Sequence, residues 1–151
     1  MMKAEKKISQ RADYGYHMSI NTRWSDNDLY GHVNNVMYYS YFDSVANTYL
    51  IQEGGLDIHG GNIVGYVVNS GCNYFSPIAF PETLTGGLRV NRLGNSSVEY
   101  GLAIFKEGSD IAVAEGHFVH VFVDRETDRS VAIPKQLRNA LEKLLVTEDK
   151  N

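Results

Sequence analysis

Apolar residues recur at steps of three and four in the first third of the chain, at Tyr38, Phe42, Val45, Ala46 and Tyr49. This spacing places them on one face of an α-helix, and we expect that face to be buried. Asn34 can cap the first turn with its side-chain oxygen, and Gly54 with Gly55 can supply a left-handed stop. The pattern therefore predicts a helix over residues 34–52.

The rest of the chain consists mainly of β-branched and aromatic runs separated by Gly, Pro and Asn, which is typical of strands joined by turns. Strands are predicted over residues 17–23, 63–75, 82–93, 96–105 and 111–123. Short connections favour antiparallel pairing of the last four in sequence order. Leu137, Leu141 and Leu144 predict a short amphipathic helix near the C-terminus. We therefore expect an α+β fold in which a curled antiparallel sheet of about five strands surrounds one long helix.

Length and charge narrow the class of protein. With 151 residues and 43% hydrophobic content, the chain fits one domain, which we place at residues 16–146 between a flexible N-terminal tail at 1–15 and a C-terminal tail at 147–151. A net charge of −4 argues against a sequence-independent nucleic-acid binder. The charged N-terminus has no apolar run behind it, so we expect no membrane span. Cys72 is the only cysteine, so no intramolecular disulfide can form and a cytoplasmic location is expected.

An acidic turn directly precedes the long helix, in the segment RWSDNDLYGHVNN at residues 23–35. The first amides of a helix are free donors at the positive end of its dipole, so a carbonyl oxygen placed there is polarised. Asp28 lies close enough in sequence to attack such a carbonyl or to activate water. Asp26 is the better candidate for bracing the loop by hydrogen bonds. Gly31 would permit a tight backbone and leave room for a substrate.

The pattern Asp-x-Asp-x-x-Gly-His-Val-Asn-Asn, followed by an aromatic-rich helix, resembles the 4-hydroxybenzoyl-CoA thioesterase family of hotdog-fold acyl-CoA thioesterases. The resemblance implies that Asp28 is the catalytic carboxylate and that the backbone N–H of Asn35 polarises the thioester carbonyl. It also implies that Asp43 faces the acyl group. Because active sites of the family lie between subunits, a homodimer or homotetramer is expected. No cofactor is implied, since coenzyme A is part of the substrate.

Two departures from related patterns shape the remaining site predictions. Plant acyl-carrier-protein thioesterases share His-Val-Asn-Asn but add a catalytic Asn two residues after the Asp, where this chain has Tyr30. A single-carboxylate mechanism is therefore favoured, with His32 as a possible helper. The Arg-Arg-Lys run that contacts the coenzyme phosphate in one branch of the family is replaced here by Leu93-Gly94-Asn95. For the coenzyme arm we predict instead Arg92, Asn95, Ser96 and Ser97, because a turn between strands can present amides and hydroxyls to phosphate.

His117 and His120 are of a residue type that binds metals, but a spacing of three on a strand sends them to opposite faces, so no metal is expected. Acyl-CoA hydrolysis, with Asp28 as nucleophile or general base, is the predicted activity. An acyl-carrier-protein thioesterase and a non-catalytic acyl-CoA binding module are the alternatives. The acyl chain is left open by the sequence.

Overall fold

The computed structural model of the protein describes residues 7–146. Its long helix, α1, spans Asn35–Gln52, as the sequence predicts. Asn34 caps it, because its Oδ1 accepts from the Val36 amide at 3.0 Å. Gly55 follows the helix with φ +70°, and the Leu56 amide returns to the Leu50 carbonyl at 3.0 Å. The buried face of α1 comprises Tyr38, Tyr41, Phe42, Val45, Ala46, Tyr49 and Leu50.

Five strands form one antiparallel sheet: β1 Tyr16–Asn21, β2 Ile63–Tyr74, β3 Thr83–Leu93, β4 Ser97–Lys106 and β5 Ala114–Asp124. The order across the sheet is β1-β3-β4-β5-β2. A second helix, α2, spans Lys135–Glu142 at the C-terminal side. The predicted fold class is confirmed: a curled five-stranded sheet and a long helix in the hotdog arrangement.

The predicted pairing of β2 with β3 is wrong. β2 pairs with β5 and forms one edge of the sheet, whereas β3, β4 and β5 do pair in sequence order. The segment between β2 and β3 is a crossover because it is held by the loop before α1: Ile78 is buried, and its carbonyl accepts from the Val33 amide at 2.8 Å. The short connection between β2 and β3 is therefore not a hairpin, although its length favoured one.

Close packing of α1 on the sheet depends on glycine. A Cβ atom added at Gly116 in β5 would collide with the Phe42 ring, and one added at Gly86 in β3 would meet Val45. The far end of the helix is tied to α2, since the Tyr49 hydroxyl donates to the Ala140 carbonyl at 2.6 Å. These contacts fix the helix axis and leave its N-terminal end near the start of β3.

The N-terminal tail is shorter than the sequence predicts. Residues 9–14 pack against the sheet: Tyr14 is 4% exposed, its hydroxyl bonds Ser9 at 2.9 Å, and Arg11 Nε donates to the Ser109 carbonyl at 2.6 Å. A buried aromatic ring and a guanidinium that reaches backbone carbonyls explain why this stretch belongs to the domain. Residues 1–6, and the predicted tail at 147–151, lie outside the described residues.

The two histidines of β5 do face opposite ways. His120 is buried beside Tyr100, whereas His117 lies on the outer face with its Nε2 2.7 Å from Asn69 Oδ1. Within residues 7–146 no group of three or more metal-ligating side chains comes together. Over the same residues, neither helix has the length and apolarity needed to cross a bilayer.

Candidate active site

Asp26 anchors the loop before α1. Its buried carboxylate accepts from the Arg23 amide at 2.9 Å, from the Tyr41 hydroxyl at 2.7 Å and from the Arg23 guanidinium at 3.0 Å. Burial alone would raise the pKa of Asp26, but the hydrogen bonds from Tyr41 and Arg23 outweigh it, so the pKa lies below its usual value. The Asp26 carbonyl also accepts from the Asn34 amide at 2.9 Å. Asp26 therefore braces the loop, as its sequence position indicates.

Asp28 is held differently, in a tight turn of its own. Its Oδ1 accepts from the Tyr30 amide at 2.9 Å, and its backbone amide donates to the His32 carbonyl at 2.8 Å. The side chain is half-buried. Among the described residues no donor reaches its Oδ2. One carboxylate oxygen thus orients the group, and the other remains available to a ligand.

Gly31 gives this turn its shape. It adopts φ +84°, a left-handed conformation that favours glycine, and a Cβ atom at this position would meet nothing within 4 Å. Within one chain, glycine is therefore favoured at this position by its backbone conformation and not by a lack of space for a side chain. Gly31 also lines an open cleft beside Asp28.

The amide of Asn35 opens the helix. Asn35 is the first helical residue, so no helical carbonyl precedes it to accept its N–H, and among the described residues no other acceptor does so. The capping side chain of Asn34 is already engaged with Val36. The carbonyl of Asn35 accepts from the Tyr74 hydroxyl at 3.2 Å, which links the helix start to the end of β2. A free donor with a fixed backbone thus stands at the positive end of α1.

Asp28 and Asn35 line the same cleft, which has a volume of about 450 Å³. Its other walls are formed by Tyr30, His32, Val33, Tyr38, Tyr74, Phe75, Ser76 and Pro77. A second, wider cleft of about 830 Å³ continues on the other side of Asp28 and carries the exposed apolar side chains Trp24, Leu29 and Tyr30. Asp28 therefore stands where two clefts meet.

His32 lies on the rim of the smaller cleft with its side chain exposed. Its backbone supports the Asp28 turn, but among the described residues its imidazole makes no hydrogen bond. Cys72, the lone cysteine, sits half-buried in β2, and burial raises the pKa of its thiol to about 11. That thiol stays protonated near neutral pH, which is unsuitable for a nucleophile.

The other predicted substrate-binding residues do not reach the cleft within one chain. Asp43 is exposed on α1, where its Oδ1 accepts from the Asn47 side chain at 3.0 Å, and it lines neither cleft. Arg92 and the turn of Asn95, Ser96 and Ser97 lie at the opposite end of β3 from Thr83. At about 3.3 Å per strand residue, the stretch from Thr83 to Arg92 corresponds to roughly 30 Å of strand length.

Sequence reasoning missed the wall supplied by the end of β2 and the crossover, at Tyr74, Phe75, Ser76 and Pro77. These residues carry no motif of their own, and the crossover that follows them is joined to the loop before α1 by the bond from the Val33 amide to the Ile78 carbonyl. Tyr38, which the helix periodicity predicts to be buried, also lines the cleft. Its spacing of three residues from Asn35 is the sequence feature that places both residues on the same side of the helix.

Comparison with known proteins points to one family. The thioesterase-like superfamily model matches residues 22–141. The long-chain acyl-CoA thioesterase FadM of Escherichia coli K12 is 28% identical over 132 residues, which cover 87% of this chain and 93% of that protein. The crystal structure of the PA5185 protein of Pseudomonas aeruginosa PAO1 is 56% identical, with a TM-score of 0.92 over 95% of this chain and all of that one.

The PA2801 protein of Pseudomonas aeruginosa is 31% identical, with a TM-score of 0.77 over 82% of this chain and 95% of that one. The acidic turn, the start of α1 and strands β2 to β5 lie within the matched residues 22–141. The chain therefore belongs to the thioesterase-like superfamily, and it is a thioester hydrolase with the hotdog fold.

Proposed function

We propose that this protein hydrolyses acyl-CoA thioesters in the cleft shared by Asp28 and the Asn35 amide. The observation that carries the proposal is the pairing of a half-buried carboxylate with a free helix N-terminal donor on one cleft. An electrophilic carbonyl needs both elements, a donor to its oxygen and a nucleophile or base beside its carbon. The similarity to FadM, a long-chain acyl-CoA thioesterase, supports coenzyme A as the thiol carrier.

In the proposed reaction the thioester carbonyl oxygen accepts from the Asn35 N–H. Asp28 then acts by one of two routes. As a nucleophile, it attacks the carbonyl carbon, the C–S bond breaks, the thiolate of coenzyme A leaves, and water hydrolyses the mixed anhydride. As a general base, it takes a proton from water, whose oxygen attacks the carbonyl carbon directly; the C–S bond then breaks, and the thiolate of coenzyme A leaves and takes up the proton. Both routes end in the free acid and coenzyme A and require no cofactor.

The wider cleft suits an apolar acyl chain. Trp24, Leu29 and Tyr30 are 76%, 102% and 88% exposed beside Asp28, and burial of such side chains against an acyl chain would remove apolar surface from water. This supports an aliphatic substrate over the aromatic one of the 4-hydroxybenzoyl-CoA family. Within one chain Asp43, the acidic helix residue expected to face an aromatic acyl group, is not at the cleft.

A second copy of the chain is part of the proposal. β2 is an edge strand of twelve residues, and Tyr66, Val67 and Val68 on it are 47%, 45% and 60% exposed. A long, apolar, unpaired edge is a template for strand pairing, so we propose a homodimer or homotetramer formed through this edge. In such an assembly Asp43, Arg92 and the turn of Asn95, Ser96 and Ser97 could contact a substrate bound to the partner.

The activity is tested by thiol release from a panel of acyl-CoA esters with Asp28→Asn and its neighbour Asp26→Asn. Loss of a base or nucleophile should lower turnover at Asp28→Asn by about a hundredfold or more with the fold intact. Asp26→Asn removes a buried anchor, so it should lower the melting temperature and reduce turnover per folded molecule far less. Wild-type turnover in Asp28→Asn would exclude the proposed mechanism.

Two alternatives are separated by the same panel. An acyl-carrier-protein thioesterase would hydrolyse acyl carrier protein esters faster than the matching CoA esters. A non-catalytic acyl-CoA binding module would bind the esters, release no thiol, and lose little affinity in Asp28→Asn.

A further inference from the structure

Tyr38 differs from the other buried tyrosines of the described chain. Five tyrosines are less than 9% exposed, and four of them have a hydroxyl partner: Tyr14 with Ser9, Tyr41 with Asp26, Tyr49 with the Ala140 carbonyl, and Tyr100 with His120. Tyr38 is 3% exposed, and among residues 7–146 no group bonds its hydroxyl. A buried tyrosine normally satisfies its O–H, so the exception requires an explanation.

The hydroxyl of Tyr38 is accessible to solvent although the rest of the side chain is buried. In the described part of the chain, every side-chain nitrogen or oxygen that is sealed from solvent has a hydrogen-bond partner. Because the Tyr38 hydroxyl has none, its oxygen must be the part of the side chain that remains accessible. The residue lines the cleft of Asp28 and Asn35, so this cleft is the space through which a ligand would reach the oxygen.

Helix geometry brings this hydroxyl toward the Asn35 amide. Tyr38 lies three residues after Asn35, on the same face and about 4.5 Å further along the axis. Side chains of a helix lean toward its N-terminus, so the phenol reaches back over the first turn. The ring is held edge-to-face against Tyr74 at 4.9 Å, and Tyr74 in turn donates to the Asn35 carbonyl. The two free donors are thus positioned by one connected set of groups.

We infer that Tyr38 is a catalytic residue whose hydroxyl is the second donor to the thioester carbonyl oxygen, beside the Asn35 N–H. This rests on the proposed hydrolase function of the cleft. As the carbonyl carbon becomes tetrahedral, its oxygen gains the electron pair of the π bond, and the Tyr38 O–H shortens its hydrogen bond without giving up its proton. Burial raises the pKa of Tyr38 to about 12, which keeps the phenol a neutral donor.

The first test is Tyr38→Phe, which removes only the hydroxyl. Loss of one donor that acts on the developing charge should lower kcat by about a hundredfold while KM changes little. Tyr49→Phe is the matched control, because it removes a buried tyrosine hydroxyl at the other end of the same helix. That variant should lose thermal stability and keep its kcat. Equal kcat values for wild type and Tyr38→Phe would overturn the assignment.

The second test separates an oxyanion donor from a general packing role. A thioether analogue of the acyl-CoA has no carbonyl oxygen and should bind wild type and Tyr38→Phe equally. A trifluoromethyl ketone analogue, whose adduct carries an oxyanion on a tetrahedral carbon, should bind the variant more weakly by about the factor lost in kcat. If the variant loses kcat but binds the ketone as tightly as wild type, the hydroxyl does not contact this oxygen. Failure of the hydrolase function would appear separately, as absence of thiol release by wild type or full activity of Asp28→Asn.

Discussion

The backbone amide of Asn35 can be removed without rebuilding the helix. Proline at this position has no N–H, and the first helical position is where proline is best tolerated. The preceding residue, Asn34, already has φ −64° and ψ 140°, which is the extended conformation that a residue before proline adopts. No described residue accepts the Asn35 N–H, so the substitution breaks no hydrogen bond within residues 7–146.

The expected magnitude follows from the role of that donor. Removal of one oxyanion donor typically lowers turnover by about a hundredfold to a thousandfold, whereas proline at a compatible position changes stability by about 1 kcal/mol or less. Asn35→Pro should therefore lose activity by that factor and keep its melting temperature within a few degrees. Thiol release under saturating acyl-CoA and thermal unfolding measure the two quantities.

Asn35→Ala is the control, because it shortens the side chain and keeps the amide. It should retain much of the wild-type turnover. Equal activity of the proline and alanine variants would show that this amide does not hold the carbonyl, and that the start of α1 is only a capped helix end. A large loss in both would instead assign the effect to the Asn35 side chain.

Light scattering at micromolar concentration should give a dimer or tetramer, since β2 presents an exposed edge; a monomer that still hydrolyses acyl-CoA would contradict a site between subunits. Burial lowers the pKa of His120 from 6.5 to about 4, so between these values the unfolded chain binds a proton that the native state does not. Stability should fall as pH decreases through this window, by about 3 kcal/mol at most. Urea unfolding at pH 7.5 and 4.5 should show a smaller loss in His120→Gln, and equal losses would exclude His120 as the titrating group.

The sequence predicted the elements well because each is encoded locally. The apolar positions of α1 and its Asn34 cap lie within one segment, and each strand is a run bounded by turn residues. The order of the strands was predicted less well, because pairing of β2 with β5 is decided about fifty residues away along the chain. What redirects β2 is the burial of Ile78 against the loop before α1, and no periodicity in the sequence reports that contact.

In the candidate site, too, the features encoded within one short segment were predicted, and those that depend on distant parts of the chain were not. Asp28, Gly31 and Asn35 lie within eight residues, so one turn and one helix start bring them together, and a motif can describe them. The turn of Asn95, Ser96 and Ser97 was predicted from its chemistry alone, and its distance from the cleft depends on the direction of β3. The free hydroxyl of Tyr38 could not be predicted, because burial and the lack of a partner are properties of the folded chain.

Asp26 and Asp28 lie two residues apart but differ in their hydrogen bonding: the carboxylate of Asp26 is fully engaged, whereas that of Asp28 has one free oxygen. Asp26 is buried among donors from Arg23 and Tyr41, and through its own carbonyl it holds the Asn34 amide at 2.9 Å. That bond ties the acidic turn to the helix cap, so it fixes the position of Asp28 relative to the Asn35 N–H. A carboxylate engaged by so many donors is a poor nucleophile, and one that is free in solution is poorly positioned. Because Asp26 anchors the loop, Asp28 can keep one carboxylate oxygen free of hydrogen bonds and still hold a fixed position relative to the Asn35 N–H.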